Sequence, residues 1–373
     1  MIYLDNAATT PVAPQALQAA WPWLTSEFGN PSSTHELGHR SHLALADARA
    51  RVAAYFNARP SEITFTSGGT ESDNLAIIGL ALANPRGKHI ISARTEHEAV
   101  LKALEFLERV HGFEISWVPL DEYGQLLDFE SNLRADTTLV SLMVANNEIG
   151  TVHDIAQLAA ATQKVGALFH TDAVQAVGWF DLDIKKLGVD ALSISGHKFG
   201  APKGCGVLVL RAGAHAEPLI HGGGQESGLR SGTENVAWAV AIATALELLP
   251  PIEPEHQRVS KMRDEFTAQV LQKVSSAHLT GHPVRRSPNI ASFTIAGVSG
   301  EAVLLELENR GVIVSSGSAC AAGSDEPSHV LLAIGVAAEI AQTAVRFSFS
   351  HQTTQQELES AAVALAEAVA AFI

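Results

Sequence analysis

The sequence predicts an α/β protein with a mostly parallel sheet, and three observations support this fold class. Short β-type runs, such as Ile63–Thr66 and His89–Ser92, alternate with longer helical segments. This alternation is typical of the βαβ units that build parallel sheets. The composition, 46% hydrophobic and 17% charged, is that of a globular protein. The length of 373 residues is sufficient for a large core and for two domains.

Each element of this first part follows from its residue types. Strands are expected at short apolar or β-branched runs, and helices at the longer segments between them. The predicted strands are 63–66, 89–92, 139–144, 167–170, 191–195 and 205–210, and the predicted helices are 71–82, 96–110, 154–165 and 236–249. Function collects at the carboxyl ends of the strands in such sheets, so we expect the site there.

A proline-rich break over residues 250–255 is the best candidate for a domain boundary. Beyond it, the pattern predicts a smaller α+β unit. Gly311 is expected to stop one of its helices, because glycine is favoured just after a helix end. The predicted helices are 257–275, 300–310 and 355–372, and the predicted strands are 291–295, 312–314 and 343–350.

Charge and cysteine content exclude several classes of protein. The net charge of −15 argues against broad nucleic-acid binding by charge. Cys205 and Cys320 do not form a disulfide framework, which indicates a reducing, cytoplasmic setting. The first residues lack the features of a signal peptide. The longest apolar stretches, 236–249 and 361–373, are shorter than the ~20 residues of a membrane span. Each contains a glutamate, which predicts amphipathic helices.

Lys198 lies in Ser195-Gly196-His197-Lys198, directly after the predicted strand 191–195. An amine held at a strand end can meet a carbonyl group and form a Schiff base. A solvated loop side chain is the more common explanation for a lone lysine. The residues at the other strand ends favour the functional interpretation.

Two strand–helix junctions carry further candidates. Gly69 and Thr70 lie in a glycine-rich turn, where backbone N–H groups at a helix N-terminus bind phosphate. Thr70 and Asp73 match a capping box equally well, and a capping box needs no ligand. His97 opens the next helix and could stack on a planar ring or act as an acid or base, although most such histidines do neither.

Asp172 follows the strand 167–170, and its carboxylate could pair with the protonated ring nitrogen of pyridoxal phosphate (PLP). Its alternative role is an N-cap for residues 173–177. Asn147 and Gln175 are neutral donors that could hold a phenolic oxygen or a substrate. Turn and cap hydrogen bonds are the alternative for both.

The two cysteines have contrasting surroundings. Cys320 lies among small residues in the segment 315–327, which predicts a loop with an exposed, nucleophilic thiol. Cys205 precedes an apolar run and is expected to pack in the core.

Arg346 lies inside a strand-like run and could clamp a substrate carboxylate in bidentate fashion. An edge-strand arginine facing water is the alternative. His35, His39 and His42 have a spacing that could seat a metal. We expect no metal site, because the helix is predicted to start after His35 and no acidic fourth ligand is clearly placed.

Motifs along nearly the whole chain support a family assignment together, although each would be weak alone. They are the segments 3–11, 28–33, 65–74, 95–97, 146–150, 172–175, 195–198, 222–226, 230–233 and 316–320. With these motifs the chain resembles the cysteine desulfurases of the NifS/IscS type, which are fold-type I PLP enzymes of the class V aminotransferase superfamily. The resemblance implies a large PLP-binding domain over 13–250 with a mostly parallel seven-stranded sheet. It also implies a small α+β domain from 1–12 and 256–373 that carries the Cys320 loop.

The resemblance implies a role for each matching residue. Lys198 would bind PLP and move a proton, Cys320 would form a persulfide, and His97 would stack on the PLP ring. The cofactor contacts implied are Gly69, Thr70, His97, Asn147, Asp172, Gln175, Ser195, His197, Lys198 and, from the other subunit of a homodimer, Thr233. The substrate carboxylate contacts implied are Asn30, Asn147 and Arg346.

The implied function is conversion of L-cysteine to L-alanine, with sulfur passed from Cys320 to an iron–sulfur scaffold or a tRNA-thiolation enzyme. Transient ligation of an iron–sulfur cluster by Cys320 with a scaffold is also implied. The alternatives are a selenocysteine lyase, another class V PLP enzyme, or a sulfur-delivery subunit of a DNA-modifying complex. The segment after Cys320 has the long-loop form of the NifS/IscS group. The chain ends at Ile373 without the longer tail that housekeeping members use to dock the scaffold.

Overall fold

The strands of the molecule are short and fall into three sheets. The computed structural model describes residues 1–84, 86–316 and 326–372, so Cys320 lies outside the described residues. The strands are β1 (Ile2–Tyr3), β2 (Ile63–Thr66), β3 (His89–Ser92), β4 (Glu114–Trp117), β5 (Thr137–Ser141), β6 (Leu168–Asp172), β7 (Ala191–Ser195), β8 (Gly206–Leu210), β9 (Ala277–Leu279), β10 (Ile290–Ile295), β11 (Val312–Ile313) and β12 (Ala344–Ser348).

The α-helices alternate with these strands and cover the sheets. They are α1 (Pro14–Thr25), α2 (Glu36–Tyr55), α3 (Gly69–Ala83), α4 (Glu98–His111), α5 (Ile155–Lys164), α6 (Ile184–Leu187), α7 (Val236–Glu247), α8 (Ile252–Lys273), α9 (Gly300–Asn309), α10 (His329–Ala333), α11 (Ala338–Ala341) and α12 (Gln355–Ala370).

The largest sheet has seven strands in the order β2-β8-β7-β6-β5-β3-β4. β8 runs antiparallel to both of its neighbours, and the pairings from β7 to β4 are parallel. The predicted α/β class and mostly parallel seven-stranded sheet are therefore confirmed. Because all strands except β8 point the same way, their carboxyl ends meet at one edge of the sheet.

Helices bury both faces of this sheet. In β8, Leu208 and Leu210 pack in an apolar cluster with α3 and α4, while Val207 and Val209 pack in the cluster on the other face with α2, α5 and α7. Successive side chains of a strand point to opposite faces, so this division follows from the alternation. The doubly covered sheet explains why its strands are continuous apolar runs.

A second apolar cluster surrounds the antiparallel sheet β12-β10-β9. Its centre is formed by Phe266, Phe293 and Phe347, whose rings contact one another edge to face. The N-terminal strand β1 pairs with β11, which brings the start of the chain to this unit. That pairing agrees with the expected small domain, but the domain boundaries at 13–250 and 256–373 stay a prediction.

Two expectations about helices were wrong. The break at 250–255 is shorter than predicted: α8 already begins at Ile252, because Pro254 lies in the first turn, where proline is tolerated. The stretch 236–249 is not amphipathic, since α7 is buried on most sides between α1 and α2. Gly311 does follow the end of α9, with a φ of 76° that favours glycine.

Seven elements, α1, α6, α10, α11, β1, β4 and β9, have no counterpart among the predicted elements. The helix expected to start after His35 is α2, which begins at Glu36. α2 is rich in Ala, Leu and Arg, which are good helix formers, so its sequence carried a usable signal. α1 contains Pro22 and β9 has three residues, and both features obscure an element in the sequence. The omitted strand β4 lies at the edge of the large sheet, so the order of the other six strands does not depend on it.

Neither a membrane span nor a metal centre stands out in the described ranges. No single helix there is long and apolar enough to cross a membrane. Together, α7 and α8 have sufficient length and apolar composition, but the two helices are bent by 75° at the break between them. The same ranges contain no group of three or more metal-ligating side chains. His35 is instead the N-cap of α2, where its side chain accepts a hydrogen bond from the Gly38 N–H.

Candidate active site

A cavity of about 360 Å³ opens where the carboxyl ends of the parallel strands meet. Several unpredicted residues also line it, among them Ala7, Ala8 and Asp73. Most of the predicted site residues come together here, although they are spread over nearly 280 positions of the sequence. Those lining the cavity are Gly69, Thr70, His97, Asn147, Asp172, Gln175, Ser195, His197, Lys198 and Arg346.

Lys198 ends a short 3-10 turn, Gly196–Lys198, that directly follows β7. Its Nζ donates to the carbonyl oxygens of Ala7 at 2.6 Å and Ala8 at 2.8 Å. The side chain is partly buried rather than extended into solvent. The turn is held in place from the same side, since the Thr10 N–H and hydroxyl both donate to the His197 carbonyl oxygen. The amine is therefore held at the cavity by the N-terminal segment.

The N-terminus of α3 forms one end of the cavity. A β-carbon added at Gly69 would lie 2.8 Å from Val174 Cγ2 and 3.3 Å from Ser195 Cβ, so this turn approaches β7 as closely as a glycine permits. The helix has no side-chain cap, which leaves the N–H groups of its first turn available to an anion. The predicted capping box at Thr70 was wrong, because α3 already begins at Gly69.

His197 lies beside this turn and is neutral at physiological pH. Burial lowers its pKa to about 4, and the charges of Lys198 and Lys203 act in the same direction. Its Nδ1 lies 3.1 Å from the hydroxyl oxygen of Thr9. A neutral imidazole can donate one hydrogen bond to an anion without adding a charge.

Asp172 is the last residue of β6 and is 7% exposed. Its Oδ1 accepts a hydrogen bond from the Val174 N–H at 2.8 Å. The alternative of an N-cap was wrong, since residues 173–177 form turns and no α-helix. Burial raises the pKa of Asp172, whereas His97, the Val174 N–H and Lys198 lower it. These neighbours favour a carboxylate that can hold a protonated ring nitrogen.

Two further carboxyl groups, Asp73 and Glu96, lie buried next to Asp172 and were missed in the sequence. Burial raises the pKa of both well above the usual value, and the charge of Asp172 adds to the effect. Like charges in one buried site oppose each other's ionisation, so the raised pKa values of Asp73 and Glu96 favour their neutral forms, while His97 and Lys198 favour the charged form of Asp172. Asp73 could have been found from its spacing, since it lies four residues after Gly69 on the same helix face.

His97 is the N-cap of α4, and its Nδ1 accepts a hydrogen bond from the Ala99 N–H at 3.1 Å. This bond sets the orientation of the imidazole at the cavity wall. Gln175 is oriented similarly, because its Nε2 donates to the Ala7 carbonyl oxygen at 3.0 Å. The N-terminal segment therefore contacts Gln175 as well as Lys198.

Arg346 is 1% exposed, so the alternative of an arginine facing water was wrong. Its Nη1 donates to the Asn147 carbonyl oxygen at 2.9 Å, and its Nη2 forms an ion pair with Asp5 Oδ1 at 2.9 Å. Its Nε is buried without a hydrogen-bond partner in the described ranges. A buried guanidinium with an unused donor is suited to bind a carboxylate. Asp5 was not predicted as part of the site.

Two predicted site residues are not brought to the cavity, and a third lies outside the described residues. Asn30 is exposed, and its Oδ1 accepts from the Ser32 N–H. Thr233 lines a separate pocket of about 210 Å³ with Ser67 and Arg230. Cys320 lies outside the described residues. Their predicted roles stay predictions.

Cys205, in contrast, packs in the core as expected. It is 4% exposed and joins the apolar cluster against the large sheet. Burial raises its pKa to about 12, so the thiol is inert at physiological pH.

The lining residues fit PLP. The uncapped first turn of α3, with Ser195 and His197, suits a phosphate group. Asp172 lies in the same cavity and suits a ring nitrogen, and the Lys198 amine suits the aldehyde carbon. Gly69 leaves room where any side chain would contact Val174.

Comparisons with known proteins agree with this fit. The family model described as "Aminotransferase class-V" matches residues 2–360. A protein named cysteine desulfurase IscS, from Dictyoglomus turgidum, is 46% identical over 361 residues, which cover 96% of this chain and 91% of that protein.

Solved structures show the same similarity in three dimensions. A NifS-like protein superposes with a TM-score of 0.90 at 34% identity, with 100% of both chains covered. A structure of SspA in complex with cysteine superposes with a TM-score of 0.84 at 34% identity, covering 95% of this chain and 100% of that chain.

Proposed function

The chain belongs to the class-V aminotransferase family, among the cysteine desulfurases, and we propose that it converts L-cysteine to L-alanine with PLP and transfers the sulfur through Cys320. One observation carries the proposal. Lys198, Asp172 and the uncapped first turn of α3 converge on a single cavity that Arg346 also lines. A cofactor site and a carboxylate site thus adjoin each other, as a reaction on an amino acid requires.

PLP, when bound, supplies an electron sink that stabilises negative charge at Cα of the amino acid. The protein residues position the reactants around that chemistry. Lys198 would hold the cofactor and move the Cα proton of the substrate. Asp172 would keep the ring nitrogen protonated, His97 would lie against the ring, and Gln175 would donate to its phenolic oxygen.

The substrate carboxylate would bind at Arg346, with Asn147 and Asn30 assisting. The ion pair with Asp5 and the bond to the Asn147 carbonyl oxygen fix the guanidinium plane before substrate arrives. Preorganisation of this kind lowers the entropy cost of binding. The guanidinium has five N–H donors, so donors besides these two bonds, the unpartnered Nε among them, are left for the ligand.

Cys320 would accept the sulfur. Its thiolate attacks the substrate sulfur, an S–S bond forms, the substrate Cβ–S bond breaks, and a proton at Cβ completes alanine. Two backbone hydrogen bonds join Ser315 to Arg346: the Ser315 N–H donates to the Arg346 carbonyl oxygen at 3.2 Å, and the Arg346 N–H donates to the Ser315 carbonyl oxygen at 2.7 Å. Cys320 lies five residues after Ser315, a length of chain that spans at most about 18 Å, which supports a role for its thiol at this cavity.

Further partners follow from the family. We infer a homodimer, in which Thr233 reaches the phosphate of the other subunit, because Thr233 lies outside the cavity of its own chain. Sulfur acceptors would be iron–sulfur scaffold proteins or tRNA-thiolation enzymes in the cytoplasm.

Product analysis tests the function directly. With PLP and L-cysteine as the only substrate, we expect alanine and protein-bound persulfide in equal amounts in a single turnover. Mass spectrometry of the alkylated Cys320 peptide measures the persulfide, and amino-acid analysis measures alanine. A keto acid in place of alanine would contradict a desulfurase and favour an aminotransferase.

Arg346→Lys should raise the KM for cysteine by about ten- to a hundredfold, because a lysine keeps the charge but loses the second hydrogen bond to the carboxylate. The change in kcat should be smaller. Cysteine methyl ester, which lacks the carboxylate, should be affected much less. Arg134→Lys, a partly exposed arginine paired with Glu114 and Asp136, is the control. An unchanged KM in a folded Arg346 variant contradicts the assignment.

A further inference from the structure

We infer that Glu148 is a positioning residue for sulfur transfer, because it binds the chain just beyond the segment that carries Cys320. Glu148, Ser328 and His329 are called the Glu148 anchor here. The inference rests on the proposed function. It concerns residues that neither the cofactor nor the substrate is expected to touch.

The first contact of the anchor joins Glu148 and Ser328. The Ser328 hydroxyl donates to Glu148 Oε2, and both residues are buried, at 2% and 4% exposure. Ser328 Oγ also accepts from the Leu331 N–H at 3.1 Å and so caps α10. A carboxylate that accepts a hydrogen bond from a hydroxyl group forms a charge-assisted bond, which is stronger than a bond between neutral groups.

The second contact comes from His329. Its Nε2 lies 3.0 Å from the Glu96 carbonyl oxygen, which defines a donating Nε2–H. Its Nδ1 lies 3.9 Å from Glu98 Oε1. Glu96 and Glu98 flank His97 in the sequence. The residue after Ser328 is therefore attached to the turn that presents His97 to the cavity.

Glu148 itself is fixed by the loop that carries Asn147. Asn146 Oδ1 accepts from the N–H groups of Glu148 at 2.8 Å and Ile149 at 2.9 Å. Asn146 Nδ2 donates to the Thr95 carbonyl oxygen at 2.9 Å. Three separate parts of the chain, 95–98, 146–149 and 328–329, are thus joined at one edge of the cavity.

Packing alone already attaches α10 to this edge. Ile149 contacts Val330 and Leu331 in an apolar cluster. Burying a carboxylate beside that cluster costs desolvation, and burial does raise the pKa of Glu148, although Ser328, His329 and Arg346 lower it. Buried polar contacts of this kind specify one arrangement among those that apolar packing permits.

That arrangement determines where the chain carrying Cys320 can reach. The chain is bonded at Ser315 to Arg346, which lines the cavity, and at Ser328 to Glu148, which follows the cavity residue Asn147. Cys320 lies between these two attachment points, eight residues before Ser328. Loss of the bond between Ser328 and Glu148 removes one of these two restraints, and a weaker restraint lowers the effective concentration of the thiol at the substrate sulfur.

A kinetic experiment on the PLP-loaded enzyme separates positioning from general stability. In Ser328→Ala and Glu148→Gln, we expect the visible PLP absorbance and the spectral change on adding cysteine to keep their wild-type amplitude and rate. The rate of persulfide formation on Cys320, followed by rapid quench and mass spectrometry, should fall about tenfold in each. Ser360→Ala is the matched control, because its hydroxyl donates within α12 to the Gln356 carbonyl oxygen.

The double variant Ser328→Ala/Glu148→Gln distinguishes a joint role from two separate ones. If the two residues act through their contact, the double variant should be no slower than either single variant. The inference would be overturned if the losses in the rate of persulfide formation were fully additive, or if only Ser328→Ala lowered the rate. Ser328 would then act only as the cap of α10.

A measurement on the protein without PLP tests the inference independently of catalysis. In the cofactor-free protein, amide hydrogen exchange of residues 326–334 should be faster in both variants than in wild type, while the helix α12 exchanges as before. Unchanged exchange together with wild-type persulfide rates overturns the role of Glu148 and leaves the function intact. A wild-type enzyme that forms no persulfide overturns the proposed function itself.

Discussion

Lys198→Ala should abolish the PLP-dependent visible absorbance of the protein and lower turnover of cysteine by about a thousandfold or more. The carbonyl oxygens of Ala7 and Ala8 hold the Lys198 Nζ at the cavity. The aldehyde group of a bound cofactor would meet the amine there. Without the amine, none of the described residues that line the cavity offers another amine to bind PLP covalently or to move the Cα proton. Absorbance after gel filtration and steady-state alanine release measure the two losses.

Lys203→Ala is the matched control for this variant. Lys203 is exposed and lies five residues further along, in the turn that follows Lys198. It should retain absorbance and turnover, because it does not line the cavity. A Lys198 variant with a retained absorbance band and normal turnover would refute the assignment of Lys198, whatever the control shows.

The sequence predicted most of this site because the relevant residues follow strands. Asp172 ends β6, Lys198 follows β7, and Gly69 follows β2, so a parallel sheet places them at one edge without further information. The alternation of strands and helices was sufficient to expect that edge. The boundaries of these elements, by contrast, moved by a few residues, as between the predicted strand 139–144 and Thr137–Ser141.

The contacts made by the N-terminal segment could not be predicted in this way. Asp5 meets Arg346, and Ala7 meets Lys198, across 341 and 191 positions of sequence. No local pattern encodes such a meeting, because it depends on how β1 pairs with β11. An analysis of residue types considers side chains, so it cannot predict the contacts made by the backbone carbonyl groups of Ala7 and Ala8.

The buried acids show a second limit of the sequence. Asp73 and Glu96 match helix-capping and turn patterns, and their function depends on their distance from Asp172, which only the fold defines. Asn30 and Thr233 show a third, since the family motif includes them but one chain leaves them outside the cavity.

Cys320→Ser should leave PLP absorbance and cysteine binding unchanged and lower sulfur transfer to protein acceptors by about a thousandfold or more. Serine fills nearly the same space, but its hydroxyl stays protonated near neutral pH and cannot form a persulfide. The other cysteine cannot substitute, because Cys205 is buried and its pKa is raised to about 12. Persulfide labelling, and sulfide release with physiological thiols, measure the loss.

Cys205→Ala is the control for the Cys320 variant. It removes a thiol from the core, so it should lower thermal stability by about 1 kcal/mol while persulfide formation continues. Full sulfur transfer in Cys320→Ser would refute the proposed mechanism, even if the Lys198 result agrees with it. The two variants therefore test separate proposed steps, the activation of cysteine by Lys198 and the removal of its sulfur by Cys320. An enzyme that passes the first test and fails the second would be a PLP enzyme of the same family with a different reaction.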